Sequence, residues 1–188
     1  QGQKFLNLLR RMLMPYWRLK SFDDLPIPFR AIGTDIGHGE QVVLKEGALS
    51  LALRASMSVP GAFAPIRVDG RLMGDGGIVN NVPVDIVKAM GVDRVIVVDV
   101  GEPLMDEDAL SSPLSVTLQM ITVLMKQRTD AALASMSPED VLIRPDLGDM
   151  GSAEFDRAIS TIAIGEQAAT AVVAQLKPLA LPADAYAA

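Results

Sequence analysis

A carboxylate can act as a base when the chain holds it still and lets a partner come close, and one aspartate here has that setting. Asp75 is enclosed by Gly74, Gly76 and Gly77, with Asn80, Asn81 and Pro83 close behind. Glycines accept positive φ and leave room for a second backbone or a ligand. Upstream, Ile66-Arg67-Val68 and Arg71-Leu72-Met73 flank Asp69-Gly70, a dipeptide suited to a two-residue hairpin turn. The hairpin delivers Asp75 to the end of a strand, and a short helix is expected near Val84. Asn80 and Asn81 are candidates to orient Asp75 through hydrogen bonds, and they equally suit plain turn positions.

Other chemistries find less support. The chain has one histidine, His38, which excludes a multi-histidine metal cage and reads as a surface turn residue. Gly33-Thr34-Asp35-Ile36-Gly37-His38-Gly39-Glu40 is glycine-rich but lacks the Lys-Ser/Thr ending of a phosphate loop and sits between two strands. It reads as a turn, against a nucleotide-binding role. Asp35, Asp75, Asp85 and Asp99 could be grouped as a carboxylate metal cluster. Asp99, however, ends a buried strand, and Asp85 starts a helix, where a negative charge is favourable. No metal and no cofactor are expected.

The elements that must position Asp75 follow from periodicity. Residues 3–20 read as helical, with Phe5, Leu8, Leu9, Met12 and Leu13 at helical spacing and Pro15 interrupting. Lys4, Arg10, Arg11, Arg18 and Lys20 all precede the first acidic residue, Asp23. This segment is either a core-facing helix with a solvated basic face or a surface for anionic lipid. Phe29 to Asp35 and Gln41 to Leu44 read as strands, and Glu46 to Ser56 as a short helix. Asp85 to Met90 is helical, with Gly91 placed to end it in the left-handed conformation. Val95 to Val100 is β-branched almost throughout, as a parallel strand covered on both faces would be. Ser111-Ser112-Pro113 opens a long helix whose Met120 and Met125, with Met136 beyond, suit core packing, lipid tails or a partner helix. Val141 to Arg144 is a short strand and Asp156 to Leu176 a terminal helix. Strands alternating with helices imply an α/β fold, a mostly parallel sheet covered by helices in three layers.

A chain of 188 residues that is 49% hydrophobic can bury a core, so disorder is excluded. A net charge of −6 and the lack of a basic stripe with interleaved aromatics argue against nucleic acid. With no cysteine, disulfides and thiolate metal sites are ruled out. No apolar run reaches the length of a membrane-spanning helix. The start at Gln1-Gly2-Gln3 reads as the interior of something longer.

Four blocks carry a resemblance. They are Phe29-Arg30-Ala31-Ile32-Gly33-Thr34-Asp35; Leu53-Arg54-Ala55-Ser56-Met57-Ser58-Val59-Pro60 with Phe63 and Pro65; Asp75-Gly76-Gly77-Ile78-Val79-Asn80-Asn81-Val82-Pro83; and Val95 to Val100. In order and spacing they resemble the C-terminal half of the patatin-like phospholipases, over residues 1–176. Residues 177–188 read as a linker or tail. The resemblance implies a lipid acyl hydrolase, a phospholipase A or esterase, in which a serine attacks an ester and an aspartate takes its proton directly. Carried over, that aspartate is Asp75. A carboxylate with a pKa of about 4 is a weak base for a serine hydroxyl, so partial burial and a direct hydrogen bond are required.

The nucleophile motif Gly-x-Ser-x-Gly is absent from the sequence. Gly151-Ser152-Ala153 lacks the second glycine, and Ser56 and Ser58 lie in another family block. The glycine-rich oxyanion loop is absent too. The sheet is therefore expected to be incomplete, and the chain inactive, without a preceding N-terminal segment that supplies both. Arg54 to Pro65 is expected to support the Asp75 hairpin. The expected partners are that segment and a phospholipid or membrane surface as substrate, and a homodimer is compatible with the sequence. The tail Leu179 to Ala188 is similar to the linker after the lipase domain in bacterial members secreted through a fused barrel, which favours a secreted or cell-surface location over the cytoplasm. The rival reading is a non-catalytic lipid-binding or interaction module on the same scaffold.

Overall fold

Strands that follow one another through a tight turn must run antiparallel, whereas parallel neighbours need a crossover, and the first half of this chain uses tight turns. The computed structural model describes residues 2–101, 103–148, 150–151 and 154–182. They form two compact units, one of residues up to Pro83 with Gln127–Asp130, the other of Val84–Lys126 and Ala131 onward.

In the first unit, helix α1 (Gln3–Met12) ends before a 3-10 turn at Met14–Tyr16 that carries Pro15. Strands β1 (Ala31–Asp35) and β2 (Glu40–Leu44) pair antiparallel, with Asp35 opposite Glu40. Gly39 closes their turn at φ +71°, its N–H donating to the Asp35 carbonyl at 2.7 Å. Helix α2 (Leu49–Ser56) follows. Strands β3 (Ile66–Val68) and β4 (Arg71–Asp75) are then joined by Asp69 (φ 48°) and Gly70 (φ 82°). Both residues are left-handed, as the two-residue hairpin requires. β4 pairs antiparallel with β1, which completes a sheet of order β2-β1-β4-β3. All five residues of β1 are buried, because it lies inside the sheet with α2 packed on it. Leu49, Ala52 and Ala55 of α2 meet Ala31, Leu44, Met73 and Phe22 in the core. A one-turn helix, α3 (Gly77–Asn80), closes the unit.

The second unit begins with α4 (Val84–Ala89), after which Gly91 adopts φ +83°. Strand β5 (Ile96–Val98) crosses through α5 (Pro113–Ala134) to β6 (Val141–Ile143), which pairs with it in parallel. Ser112 caps α5 by accepting from the Ser115 N–H at 3.0 Å, and Pro113 takes the first helical position. The terminal helix is divided at Val172 into α6 (Ser160–Ala171) and α7 (Val173–Leu176). Ser152, Ala153 and residues 183–188 of the tail lie outside the described residues.

The fold is α/β, but two expectations about its sheets are corrected. The four-stranded sheet is wholly antiparallel: β1–β2 and β3–β4 are hairpins too short for a crossover, and β4 runs back along β1 in the opposite direction. Among the described residues, only β5 and β6 run parallel. The expected cover on both faces of β5 is also missing among the described residues, where Val97 is buried but Ile96 and Val98 are 49% and 54% exposed.

Asp140 ties the parallel pair together. Its carboxylate accepts from Lys88 Nζ at 2.8 Å and from the backbone N–H groups of Ser137 and Val95 at 2.7 and 2.9 Å. The Lys88 ammonium, helped by those two N–H groups, holds the carboxyl well below the usual carboxylate range. A carboxylate whose pKa is depressed on folding contributes stability above its unfolded pKa and loses it as pH falls toward the folded value. The stability of the chain is therefore expected to decline below about pH 4. Asp140→Asn should lower the urea midpoint at pH 7 and flatten that acid limb. An unchanged slope in the variant would assign acid sensitivity to other groups.

Candidate active site

Asp75 is the last residue of β4, opposite Gly33 of β1. Three hydrogen bonds fix its backbone. Its N–H donates to the Ser58 carbonyl at 3.2 Å, and the Gly76 N–H donates to the Ser56 carbonyl at 3.3 Å. The Thr34 hydroxyl donates to the Asp75 carbonyl. Beyond it, the Val79 and Asn80 N–H groups return to the Gly76 carbonyl, which winds the chain into α3. The expected glycine turn is thus the start of a helical turn. The Gly77 N–H points back and donates to Asp75 Oδ1 at 2.8 Å. No other hydrogen bond to this carboxylate forms among the described residues. Burial pushes the Asp75 carboxyl above its ordinary pKa, and the Gly77 N–H opposes part of that shift.

The carboxylate lines an open cleft of about 270 Å³ together with Phe29, Ile32, Leu53, Ser56, Gly76, Gly77, Asn80, Asn81 and Pro83. Of the residues singled out from the sequence, Asp75, Gly76, Gly77, Asn80 and Asn81 come together here. Gly74 faces a second cleft of about 370 Å³ with Ile36, Ser58, Phe63 and Ile78. No hydrogen bond joins the Ser56 hydroxyl to Asp75 among the described residues. Ser58 is buried, and its hydroxyl accepts from Arg54 Nη1 at 2.7 Å while donating to the Arg54 carbonyl at 3.0 Å. Neither serine hydroxyl is hydrogen-bonded to the Asp75 carboxylate among the described residues. His38 sits apart in the β1–β2 turn, its Nδ1 2.9 Å from Asp35. No group of three or more His, Cys, Asp or Glu side chains that could hold a metal ion occurs among the described residues.

Arg54 was not legible as a component of the site. Its guanidinium is buried, donates to Ser58 Oγ and to the Ala64 carbonyl at 3.0 Å, and lies 4.7 Å from the Phe63 ring centroid. It thereby holds the loop whose carbonyls receive the Asp75 and Gly76 N–H groups. A basic residue followed by small residues and two prolines gives the sequence signal for a clamped bend, but not for which residue clamps it. Ser58→Ala leaves a buried guanidinium N–H without its partner, which costs about 1–3 kcal/mol. Arg54→Met removes two charge-assisted bonds and should cost about 3 kcal/mol or more. The ranking is read from thermal or urea midpoints. A Ser58→Ala loss exceeding that of Arg54→Met would show that the arginine is not the clamp.

A mixed α/β scaffold here presents a partly buried aspartate on a glycine-bounded turn that opens to a cleft. Residues 5–88 match the family model described as patatin-like phospholipase, and over this stretch the chain is similar to that family. It is 37% identical over 98 residues to an uncharacterized NTE family protein of Mycobacterium tuberculosis (strain ATCC 25618 / H37Rv), covering 52% of this chain and 26% of that protein. It is 41% identical over 95 residues to patatin-like phospholipase domain-containing protein 6 of Homo sapiens, covering 50% of this chain and 7% of that protein. Patatin-like phospholipase domain-containing protein 7 of Rattus norvegicus is 43% identical over 84 residues, 44% of this chain and 6% of that protein. The chain spans about a quarter or less of the length of these relatives.

Proposed function

We propose that this chain is the aspartate-bearing part of a serine lipid acyl hydrolase, a phospholipase A or esterase, in which Asp75 is the general base. The observation that carries the reading is the Asp75 carboxylate itself. It is oriented by one backbone N–H, raised in basicity by burial, and open to a cleft. In the proposed reaction a serine of the longer protein gives its Oγ proton to Asp75 as Oγ bonds to the ester carbonyl carbon. Backbone N–H groups supplied with that serine hold the resulting oxyanion. Collapse breaks the ester C–O bond, and Asp75 returns the proton to the leaving alcohol. Water then hydrolyses the acyl-serine, with Asp75 taking and returning a proton once more. Asn80 and Asn81, on the same cleft, are proposed to contact the bound ester or the incoming serine loop.

The chain by itself is proposed to be inactive. The test compares these 188 residues with the longer protein that contains them, using a diacyl phospholipid and a simple aryl ester. Release of fatty acid by the longer protein alone supports the reading. Turnover by the isolated chain would place the nucleophile within it. A longer protein that binds phospholipid without cleaving it would make the chain part of a lipid-binding module instead.

A further inference from the structure

The five basic side chains that precede the first acidic residue are all exposed, and Lys4 and Arg11 share one exposed strip of α1. α1 directs Phe5 and Leu6 inward, Leu6 buried and Phe5 stacked on Phe63 at 5.7 Å between ring centroids. On its outer side Lys4, Leu8, Arg11 and Met12 succeed one another at helical spacing, and all are exposed. The strip runs on through the following 3-10 turn. Met12, Met14 and Trp17 are 68%, 63% and 72% exposed, and the Arg18 guanidinium lies 4.6 Å from the Trp17 ring centroid. Lys4, Arg10, Arg11, Arg18 and Lys20 form no ion pair among the described residues.

Exposed methionine and tryptophan carry an apolar cost in water, and unpaired cations around them select what can relieve it. The chain as a whole carries −6, so an anionic surface is repelled except where this strip faces it. Apolar side chains between cations, with a tryptophan at the boundary, fit the interface of a bilayer, where tails meet phosphates. We propose that α1 and the turn after it dock the chain on an anionic phospholipid bilayer. Met12, Met14 and Trp17 enter the interface, and Lys4, Arg11, Arg18 and Lys20 lie on the headgroup phosphates. The hydrolase reading supplies the reason for meeting a bilayer, and docking itself needs no turnover at Asp75.

Trp17 is the single tryptophan of the chain, so its fluorescence reports this surface alone. The probe is vesicles of ether-linked phosphatidylcholine, with or without ether-linked phosphatidylglycerol, which no ester hydrolase can cleave. Phosphatidylglycerol vesicles should shift Trp17 emission to the blue and shield it from acrylamide, and added salt should reverse both. Each basic residue removed should weaken binding about fivefold, so the surface variant Lys4→Gln/Arg11→Gln should lose about 25-fold. Asp75→Asn should bind like the parent, which separates docking from chemistry. The proposal is overturned by an absence of vesicle binding, by equal binding to phosphatidylcholine alone, or by binding that leaves Trp17 emission unchanged. It is equally overturned if Trp17 is already blue-shifted and shielded before vesicles are added, since another segment or a second copy would then cover the strip.

Discussion

Asp75→Asn in the longer protein is expected to reduce lipid-ester hydrolysis by about 10²–10⁴-fold, the range of a positioned general base, without unfolding the chain. Asparagine has the same shape, and its Oδ1 can keep the hydrogen bond from the Gly77 N–H. It cannot take a proton. His38, the one histidine of the chain, is held in the β1–β2 turn by Asp35 and does not replace it. The effect on stability runs the other way. Burial raises the folded pKa of Asp75, so the folded state binds this proton more tightly than the unfolded chain does. That contribution is fully present below the ordinary carboxylate pKa and is lost as pH rises through the folded value. At neutral pH the substitution removes a charge whose burial is unfavourable, and its thermal midpoint should equal or slightly exceed that of the parent. The same shift fixes the pH profile of the parent, whose acidic limb should fall above the ordinary carboxylate range. The measurements are kcat against pH and a thermal melt. A variant that retains most of its turnover, or loses turnover only by melting early, would remove Asp75 from the role of base.

Local signals in the sequence located this aspartate well, and long-range ones did less. Asp69-Gly70 fixes a hairpin because both of its residues tolerate left-handed backbone, and Gly91 and Ser112-Pro113 mark helix ends by equally local chemistry. Strand direction is not local. Phe29 to Asp35 reads as a buried strand whether its neighbours run parallel or antiparallel, and burial alone does not distinguish them. The turn at Gly39 and the pairing with β4 made it antiparallel. β5 reads as covered on both faces because β-branched residues suit any strand, yet Ile96 and Val98 are exposed. α3 was hidden for another reason. Two glycines depress intrinsic helix propensity, while the Gly76 carbonyl, available to Val79 and Asn80, closes the turn regardless. The Arg54 clamp depends on Ser58 and Ala64 being folded back onto it, which composition does not reveal.

Gly76→Ala is expected to be the most damaging glycine substitution around the candidate site, and not because of backbone conformation. Gly76 has φ −67°, which any residue accepts. Its importance is spatial, since a Cβ there would fall on the carbonyl group of Ile32. Ile32 is buried within β1, and a carbonyl in a paired strand cannot rotate away as a side chain can. Either β1 or the Asp75 turn must move. The cost is set at about 3 kcal/mol, the upper end of overpacking. Gly74→Ala is the matched control two residues earlier. A Cβ there would meet Ile36 Cδ1 at 2.8 Å, the end of a side chain that is 46% exposed and can swing outward. That substitution should cost about 1 kcal/mol or less. Urea midpoints at constant m-value give the comparison. In the longer protein, hydrolysis should fall steeply for Gly76→Ala, because the moved turn carries the Asp75 carboxylate with it, and should persist for Gly74→Ala. Equal losses from the two would mean that Ile32 yields, and that close approach of these backbones is not what holds Asp75 in place.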